Sequence, residues 1–144
     1  MNDVIVVGTD GSDTATAAVL RAGELAKKLG ARVELVSGWS PDMAYASAFG
    51  GVYAGDWSED SRKAADGCLD RAAKQLRAQG LEVEVHCMQG DAADALIDVA
   101  EATDASMIVV GSKGMTGGKR FLLGSVPNRV SHHAPCSVMI VRTH

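Results

Sequence analysis

The sequence lacks the features of an exported, membrane-spanning or nucleic-acid-binding protein. No apolar run approaches the roughly 20 residues that cross a bilayer, and the start, Met1-Asn2-Asp3, lacks the basic region of a signal peptide. The few cysteines are scattered and odd in number, which favours free thiols in a reducing compartment; they are Cys68, Cys87 and Cys136. A formal net charge of −4 leaves no basic excess to meet a nucleic-acid backbone. We therefore expect a cytoplasmic protein that uses neither a membrane nor a nucleic acid.

Common catalytic and metal-binding motifs are missing as well. There is no G-x-S-x-G elbow and no H-E-x-x-H pair. His86 and Cys87 are neighbours on a predicted strand, so their side chains point to opposite faces. His132 and His133 lie on different faces of a predicted helix, and the partial negative charge at a helix C-terminus explains histidines there without a metal. We expect no metal site and no catalytic residue.

What the sequence does contain is an alternation of strand and helix patterns. Its 144 residues, 47% hydrophobic and 22% charged, suit one globular domain over 1–144. Short apolar runs alternate with segments in which apolar residues recur every three or four positions, as on one face of a helix. The predicted strands are 4–7, 32–38, 81–87, 107–110 and 137–142.

Hydrophobicity predicts the order of these strands. The first and fourth are wholly apolar and belong in the centre, whereas the third alternates and belongs at an edge. With right-handed crossovers, the fold class is α/β, a doubly wound five-stranded parallel sheet of order 3-2-1-4-5 with helices on both faces. The last strand, Ser137 to Arg142, then forms the other edge although both its faces are apolar. Because an uncovered apolar edge invites association, we expect a homodimer through this strand.

Helix boundaries are marked by glycines and by short polar side chains. Glycines at 30 and 80 are expected to end the first two helices, and Asp91 to begin the third, with Asp94 answering it in a capping box. Ser125 is expected to cap the fourth. The long segment from Ser40 to about Asp56 is predicted to be a loop, and it is either a flap over a ligand, a dimer contact or simply mobile.

The strongest functional signal is the stretch from Val109 to Val126. An apolar strand leads into a loop rich in glycine, with cations at Lys113, Lys119 and Arg120, and Gly124-Ser125 stands at the start of a helix. Glycines let a ligand approach the main chain, and a helix N-terminus offers unpaired N–H groups and partial positive charge. These features predict a site for an anion, and a phosphate chain is the anion that we expect there.

The glycine spacing points to a particular family. It is neither a Walker loop, since Lys113 stands where the first glycine belongs, nor the dinucleotide pattern G-x-G-x-x-G. The pattern is G-x2-G-x9-G-S, and on a strand-loop-helix it resembles the nucleotide-binding branch of the universal stress protein family. The segments 8–12 (GTDGS) and 122–126 (LLGSV) look like further signatures of that family. The resemblance covers essentially the whole chain.

The resemblance implies an adenine nucleotide, usually ATP, bound where strands one and four separate. The turn Gly8, Thr9 and Asp10 would lie along the adenosine, and the main chain at Ser37 and Gly38 would contact the base. The phosphates would be held by Gly111, Gly114, Gly124, Ser125 and Val126, with Ser112 and Lys113 in the same loop completing the predicted set.

Several alternatives stay open at this point. Asp10 either meets the ribose or a water on a nucleotide-bound Mg²⁺, or it only forms the turn, as an Asp before Gly often does. Some family members prefer cyclic AMP, so this nucleotide is the alternative ligand. No base that would activate water is evident, which favours a stress-response binding protein with slow ATP hydrolysis at most. The alternative is an ATP-using enzyme of the adenylating type.

Overall fold

The computed structural model describes residues 3–40, 54–112 and 124–142, which form a five-stranded parallel sheet with two helices on each face. The strands are β1 (Val4–Gly8), β2 (Arg32–Trp39), β3 (Val83–Gln89), β4 (Met107–Gly111) and β5 (Ser137–Val141). The helices are α1 (Asp13–Leu29), α2 (Ala54–Arg77), α3 (Ala92–Thr103) and α4 (Ser125–His133). Strands and helices alternate along the chain throughout.

The strand order is β3-β2-β1-β4-β5, and every neighbouring pair is parallel. The predicted fold class and order are therefore confirmed. Hydrophobicity was a sufficient guide because the two central strands contact helices on both faces. In β1, Ile5, Val6 and Val7 are all fully buried.

Each face of the sheet has its own core. Ile5 and Val7 of β1 point to one side, where they pack with α1 and α2. Val4 and Val6 point to the other side, where they pack with α3 and α4. This alternation follows from the two-residue repeat of a strand, and it leaves the carboxyl ends of the strands as the place where both helix layers begin.

Helix α1 ends as predicted, whereas two of the other predicted capping roles are wrong. Ser12 accepts a hydrogen bond from Ala15 N at 3.2 Å, and Gly30 ends α1 with φ 66°. Asp91 does cap α3, accepting from Ala93 N at 2.7 Å, but Asp94 does not complete a capping box. Its carboxylate instead pairs with an arginine of α4. Ser125 is the first residue of α4 rather than its cap, which is Gly124.

Some predicted boundaries are shifted. Helix α2 ends at Arg77, because Ala78 to Gly80 form a turn, and it begins at Ala54, so the predicted loop is shorter than expected. The rest of that loop, 41–53, lies outside the described residues. Strand β3 occupies the predicted edge but runs from Val83 to Gln89 instead of 81–87. The apolar face of β3 is only partly covered by the rest of the protein, since Val85 on that face is 44% exposed.

None of the described helices is both long and apolar enough to span a membrane.

Candidate functional site

A cleft opens at the carboxyl ends of β1, β2 and β4, where the chain leaves the sheet in opposite directions from β1 and β4. Ligands of open α/β sheets bind at such a switch point. Apolar side chains dominate the lining. The described lining residues are Gly8, Thr9, Asp10, Ala15, Val36, Gly38, Ala92, Leu96, Val110, Gly111, Val126 and Pro127.

The turn between β1 and α1 forms one wall and is held by its own hydrogen bonds. Thr9 N donates to Val36 O at 3.0 Å, which ties the turn to β2. Ser12 N donates to Asp10 Oδ1 at 2.9 Å, and Gly11 N donates to Thr9 Oγ1 at 3.3 Å. One carboxylate oxygen of Asp10 therefore stabilises the turn. This is the structural role that the sequence allowed for Asp10 as an alternative to binding a ligand.

The two ends of the glycine-rich loop meet beside the cleft. Ser112 N donates to Val141 O at 2.9 Å, and Gly124 N donates to Ser112 O at 2.9 Å. Ser112 and Gly124, the described residues on either side of 113–123, therefore lie next to each other at the start of α4. The predicted ligand contacts Lys113 and Gly114, and the cations Lys119 and Arg120, lie outside the described residues.

The first turn of α4 forms another wall. Gly124 has φ −65° and ψ 170°, and no side chain in the described part of the chain caps the helix. The first N–H groups of a helix have no partner within it. Because Pro127 has no N–H and Asn128 N donates to Gly124 O, the amides of α4 that are available to an anion are those of Ser125 and Val126, for which the described residues supply no partner, and the helix dipole adds partial positive charge there. Val126 and Pro127 from this turn line the cleft.

Packing within the protein accounts for two glycines of the cleft, Gly111 and Gly38, and leaves little room at a third, Gly8. A Cβ on Gly111 would overlap Thr14 Cγ2 and lie 2.8 Å from Thr14 O, on the α1 side of the sheet. A Cβ on Gly38 would lie 2.8 Å from Ala92 Cα, and one on Gly8 would lie 3.2 Å from Leu96 Cδ1. Packing against Thr14 therefore accounts for the glycine at position 111, and the predicted contact of Gly111 with phosphate stays a prediction.

The structure brings only part of the predicted set to the cleft surface. Gly8, Thr9, Asp10, Gly38, Gly111 and Val126 line it. The other predicted residues within the described part of the chain are not among the lining residues; they are Ser37, Ser112, Gly124 and Ser125. Ser37 and Ser112 are buried, and Ser112 Oγ has no hydrogen-bond partner among the described residues.

The side chains that give the cleft its apolar character were not predicted from the sequence. They are Ala15, Val36, Ala92, Leu96, Val110 and Pro127. A usable signal existed for Ala92 and Leu96. Their helix starts directly after the Gly90-Asp91 turn that follows β3, and elements that begin at the carboxyl edge of a parallel sheet gather there.

Among the described residues, no cluster of three or more His, Cys, Asp or Glu side chains is placed to bind a metal ion. A single carboxylate at the cleft, that of Asp10, suits Mg²⁺ that arrives on nucleotide phosphates, because this ion is commonly held by one or two carboxylates together with phosphate oxygens. The three cysteines are free thiols.

Comparison with known proteins agrees with this architecture. The Universal stress protein family model matches residues 1–142. Universal stress protein MJ0531 of Methanocaldococcus jannaschii is 33% identical over 142 residues, which cover 96% of this chain and 81% of that protein.

Three solved structures extend the comparison. A universal stress protein in complex with cAMP is 30% identical, with a TM-score of 0.72 and coverage of 99% of this chain and 98% of that one. The Archaeoglobus fulgidus universal stress protein in complex with dAMP is 25% identical, with a TM-score of 0.70 and 97% coverage of both chains. Hypothetical protein MJ0577 has the same fold, with a TM-score of 0.84 at 22% identity, covering 100% of this chain and 98% of that one. With its sheet order, its cleft and these matches, the chain belongs to the universal stress protein family.

Proposed function

We propose that this protein binds an adenine nucleotide, ATP in the first place, in the cleft between the β1–α1 turn and the N-terminus of α4. The observation that carries the proposal is the position of this cleft. It brings an apolar pocket next to a helix N-terminus and to the joined ends of a glycine-rich loop. An apolar slot beside free amide groups matches a molecule with a flat base at one end and an anion at the other.

Each part of the cleft suits one part of the nucleotide. The apolar lining from Val36, Ala92 and Leu96 suits the base, whose edge would reach the main chain near Gly38. Asp10 at the rim suits the ribose or a phosphate-bound Mg²⁺. The amides at the start of α4 suit the phosphates. In the sequence, the glycine-rich loop that leads into α4 carries the cations Lys113, Lys119 and Arg120.

Cyclic AMP is the second candidate ligand. Its support is the relative that was solved in complex with cAMP. The number of cations in the glycine-rich loop favours ATP, because cyclic AMP carries a single negative charge. Calorimetric titration with both nucleotides distinguishes the candidates. Binding of cyclic AMP at least as tight as that of ATP would reverse the ranking.

We propose a regulatory binding protein of the stress response rather than a fast enzyme. Among the described lining residues, Asp10 alone carries a carboxylate, and one of its oxygens accepts a hydrogen bond within the turn. A general base must lie within hydrogen-bond reach of the proton that it removes. ATP turnover is therefore expected to be slow, and a rate of many per second in a phosphate-release assay would favour the enzyme.

The test of nucleotide binding uses two blocking variants and a matched control. Gly124→Val adds bulk beside the α4 amides at a φ and ψ that any residue adopts. Ala92→Leu fills the cleft from the first residue of α3. Ala102→Leu makes the same change at an exposed position of the same helix. Titration of each folded protein with ATP is expected to show loss of binding in the first two variants and unchanged affinity in the third. Unchanged affinity in both blocking variants would refute the proposed site.

We also propose that the protein is a cytoplasmic homodimer. The free thiols support a reducing compartment. Strand β5 stands at the end of the sheet and its residues from Val138 to Val141 are half-buried in the single chain. Pairing with the same strand of a second copy would cover them.

A further inference from the structure

We infer that Arg129 tunes the selectivity of this cleft for highly charged nucleotides, by neutralising two carboxylates beside the anion-binding end. The inference rests on the proposed nucleotide site. It concerns a side chain that is not in the cleft and that the sequence analysis did not single out.

Arg129 holds two acidic residues with separate arms of its guanidinium group. Nη1 lies 3.0 Å from Asp91 Oδ2, and Nη2 lies 3.1 Å from Asp94 Oδ1. Asp91 is oriented a second time, because its Oδ1 accepts from Ala93 N at 2.7 Å as the cap of α3. The arginine on α4 is thereby fixed to the first turn of α3.

These first turns are walls of the same cleft. Ala92 and Leu96 of α3 line it on one side, and Val126 and Pro127 of α4 line it on another. Asp91 directly precedes Ala92, and Arg129 follows Ser125 by about one helical turn, or roughly 6 Å along the axis. The arginine and the two carboxylates therefore form a charge group next to the amides that are proposed to hold phosphate.

The charge balance gives this group its effect on the ligand. With Arg129 present, the three side chains carry a net charge of −1; without it, the charge is −2. The side chains are 42–54% exposed, so the ion pairs add little to folding stability. Their field still acts over the Debye length of about 8–10 Å, which reaches the start of α4. Loss of the cation should therefore weaken binding in proportion to the negative charge of the ligand.

A ladder of ligands separates this electrostatic role from a merely structural one. Binding of ATP, AMP and adenosine is measured by displacement of a fluorescent ATP analogue, without Mg²⁺ and at low salt. From Coulomb interactions screened by water and ions, Arg129→Ala is expected to weaken ATP binding about threefold to tenfold and AMP binding about twofold. Adenosine binding should be unchanged. If the pair only holds the helices together, all three ligands weaken equally, and that result would overturn the inference.

Two further variants test the charge directly. Arg129→Lys keeps the cation and should keep ATP affinity near that of the parent protein. Adding Asp94→Asn to Arg129→Ala removes one of the uncompensated carboxylates and should restore most of the lost ATP affinity. The loss of ATP affinity in Arg129→Ala alone should shrink to below about twofold in 0.5 M salt, where screening is stronger. Failure of the parent protein to bind any of the three ligands would refute the proposed function. Normal parent binding with no restoration by Asp94→Asn would refute only the role of Arg129.

Discussion

At the scale of single residues, the chemical behaviour of a side chain depends on its environment as well as on its residue type. Two cysteines show this. Burial and the Asp66 carboxylate raise the pKa of the Cys87 thiol from its usual 9.0 to about 11, and burial raises the pKa of Cys136 as well. Both effects disfavour the charged thiolate. A thiol that stays protonated at neutral pH is a poor nucleophile.

Cys87 should therefore resist alkylation. In a Cys68→Ser, Cys136→Ser protein, where Cys87 is the sole thiol, reaction with iodoacetamide at pH 8 should be about 100-fold slower than for a thiol of pKa 9, since the thiolate fraction falls tenfold per unit. The rate should rise steeply only toward pH 11. Asp66→Asn should lower the pKa and speed the reaction. Fast labelling at pH 8 would contradict the assigned environment.

The same raised pKa affects stability in alkali. The folded-state pKa of Cys87 lies above the unfolded value, so the unfolded chain loses its proton first as the pH rises. Any stability from the buried neutral thiol is present below about pH 9 and is lost as the pH rises toward 11.

Gly111 gives a second prediction at this scale. Its Cβ position is taken by Thr14 of α1, so Gly111→Ala should destabilise the fold by about 1–3 kcal/mol through overpacking. Urea unfolding measures the change. Adding Thr14→Ser, which removes the overlapping methyl and keeps the hydroxyl, should recover part of it. An unaffected single variant would show that α1 moves away freely.

At the scale of elements, β2 and β3 are joined by more than their backbone ladder. Glu34 of β2 is 2% exposed on the face packed by α3. Its Oε1 lies 2.7 Å from His86 Nε2 on β3, and Arg32 Nε donates to its Oε2 at 2.9 Å. A buried carboxylate needs such partners, because an unpaired charge in an apolar layer is costly.

Replacing Glu34 in two ways tests this arrangement. Glu34→Gln keeps the shape but replaces one carboxylate oxygen with an amide N–H, so that Arg32 Nε or His86 Nε2 loses its carboxylate partner, and the change should destabilise the protein by about 1–3 kcal/mol. Glu34→Leu should cost less, because Arg32 and His86 are about one-third exposed and turn to water. Chemical denaturation compares both with the parent. A larger loss for leucine than for glutamine would contradict the assignment.

At the scale of the whole molecule, the two edges of the sheet differ. The β3 edge carries polar residues such as Glu84 and Gln89, both exposed, whereas β5 ends the sheet with an almost wholly apolar strand. An apolar edge strand such as β5 associates with other chains unless it is covered. The proposed homodimer is the covering that a second copy of the chain provides.

Sedimentation velocity tests the dimer with one variant at each edge. Ile140→Lys places a charge on β5 and should convert a dimer into a monomer. Val85→Lys places the same charge at a position of β3 that is 44% exposed and should leave the mass unchanged. Far-UV circular dichroism verifies that both variants fold. A monomeric parent, or a dimer that survives Ile140→Lys and dissociates on Val85→Lys, would refute pairing through β5.

The sequence by itself determined the strand order and the end of the sheet at which the cleft opens. Burial on both faces leaves a continuous apolar run in β1 and β4, and an edge leaves an alternating or polar one, so hydrophobicity alone orders the strands. The turn after β1 and the glycines after β4 then had to meet at one end of the sheet.

Only the tertiary structure decided what each residue does there. Local patterns do not record which helix packs beside a given glycine, so the contact of Gly111 with Thr14 and the cleft walls from Ala92 and Leu96 were not predictable. Nor do they record contacts across 38 residues of chain, such as that between Asp91 and Arg129. Such contacts depend on the position and orientation of each helix on the sheet, and these are set by the packing of whole helices and strands.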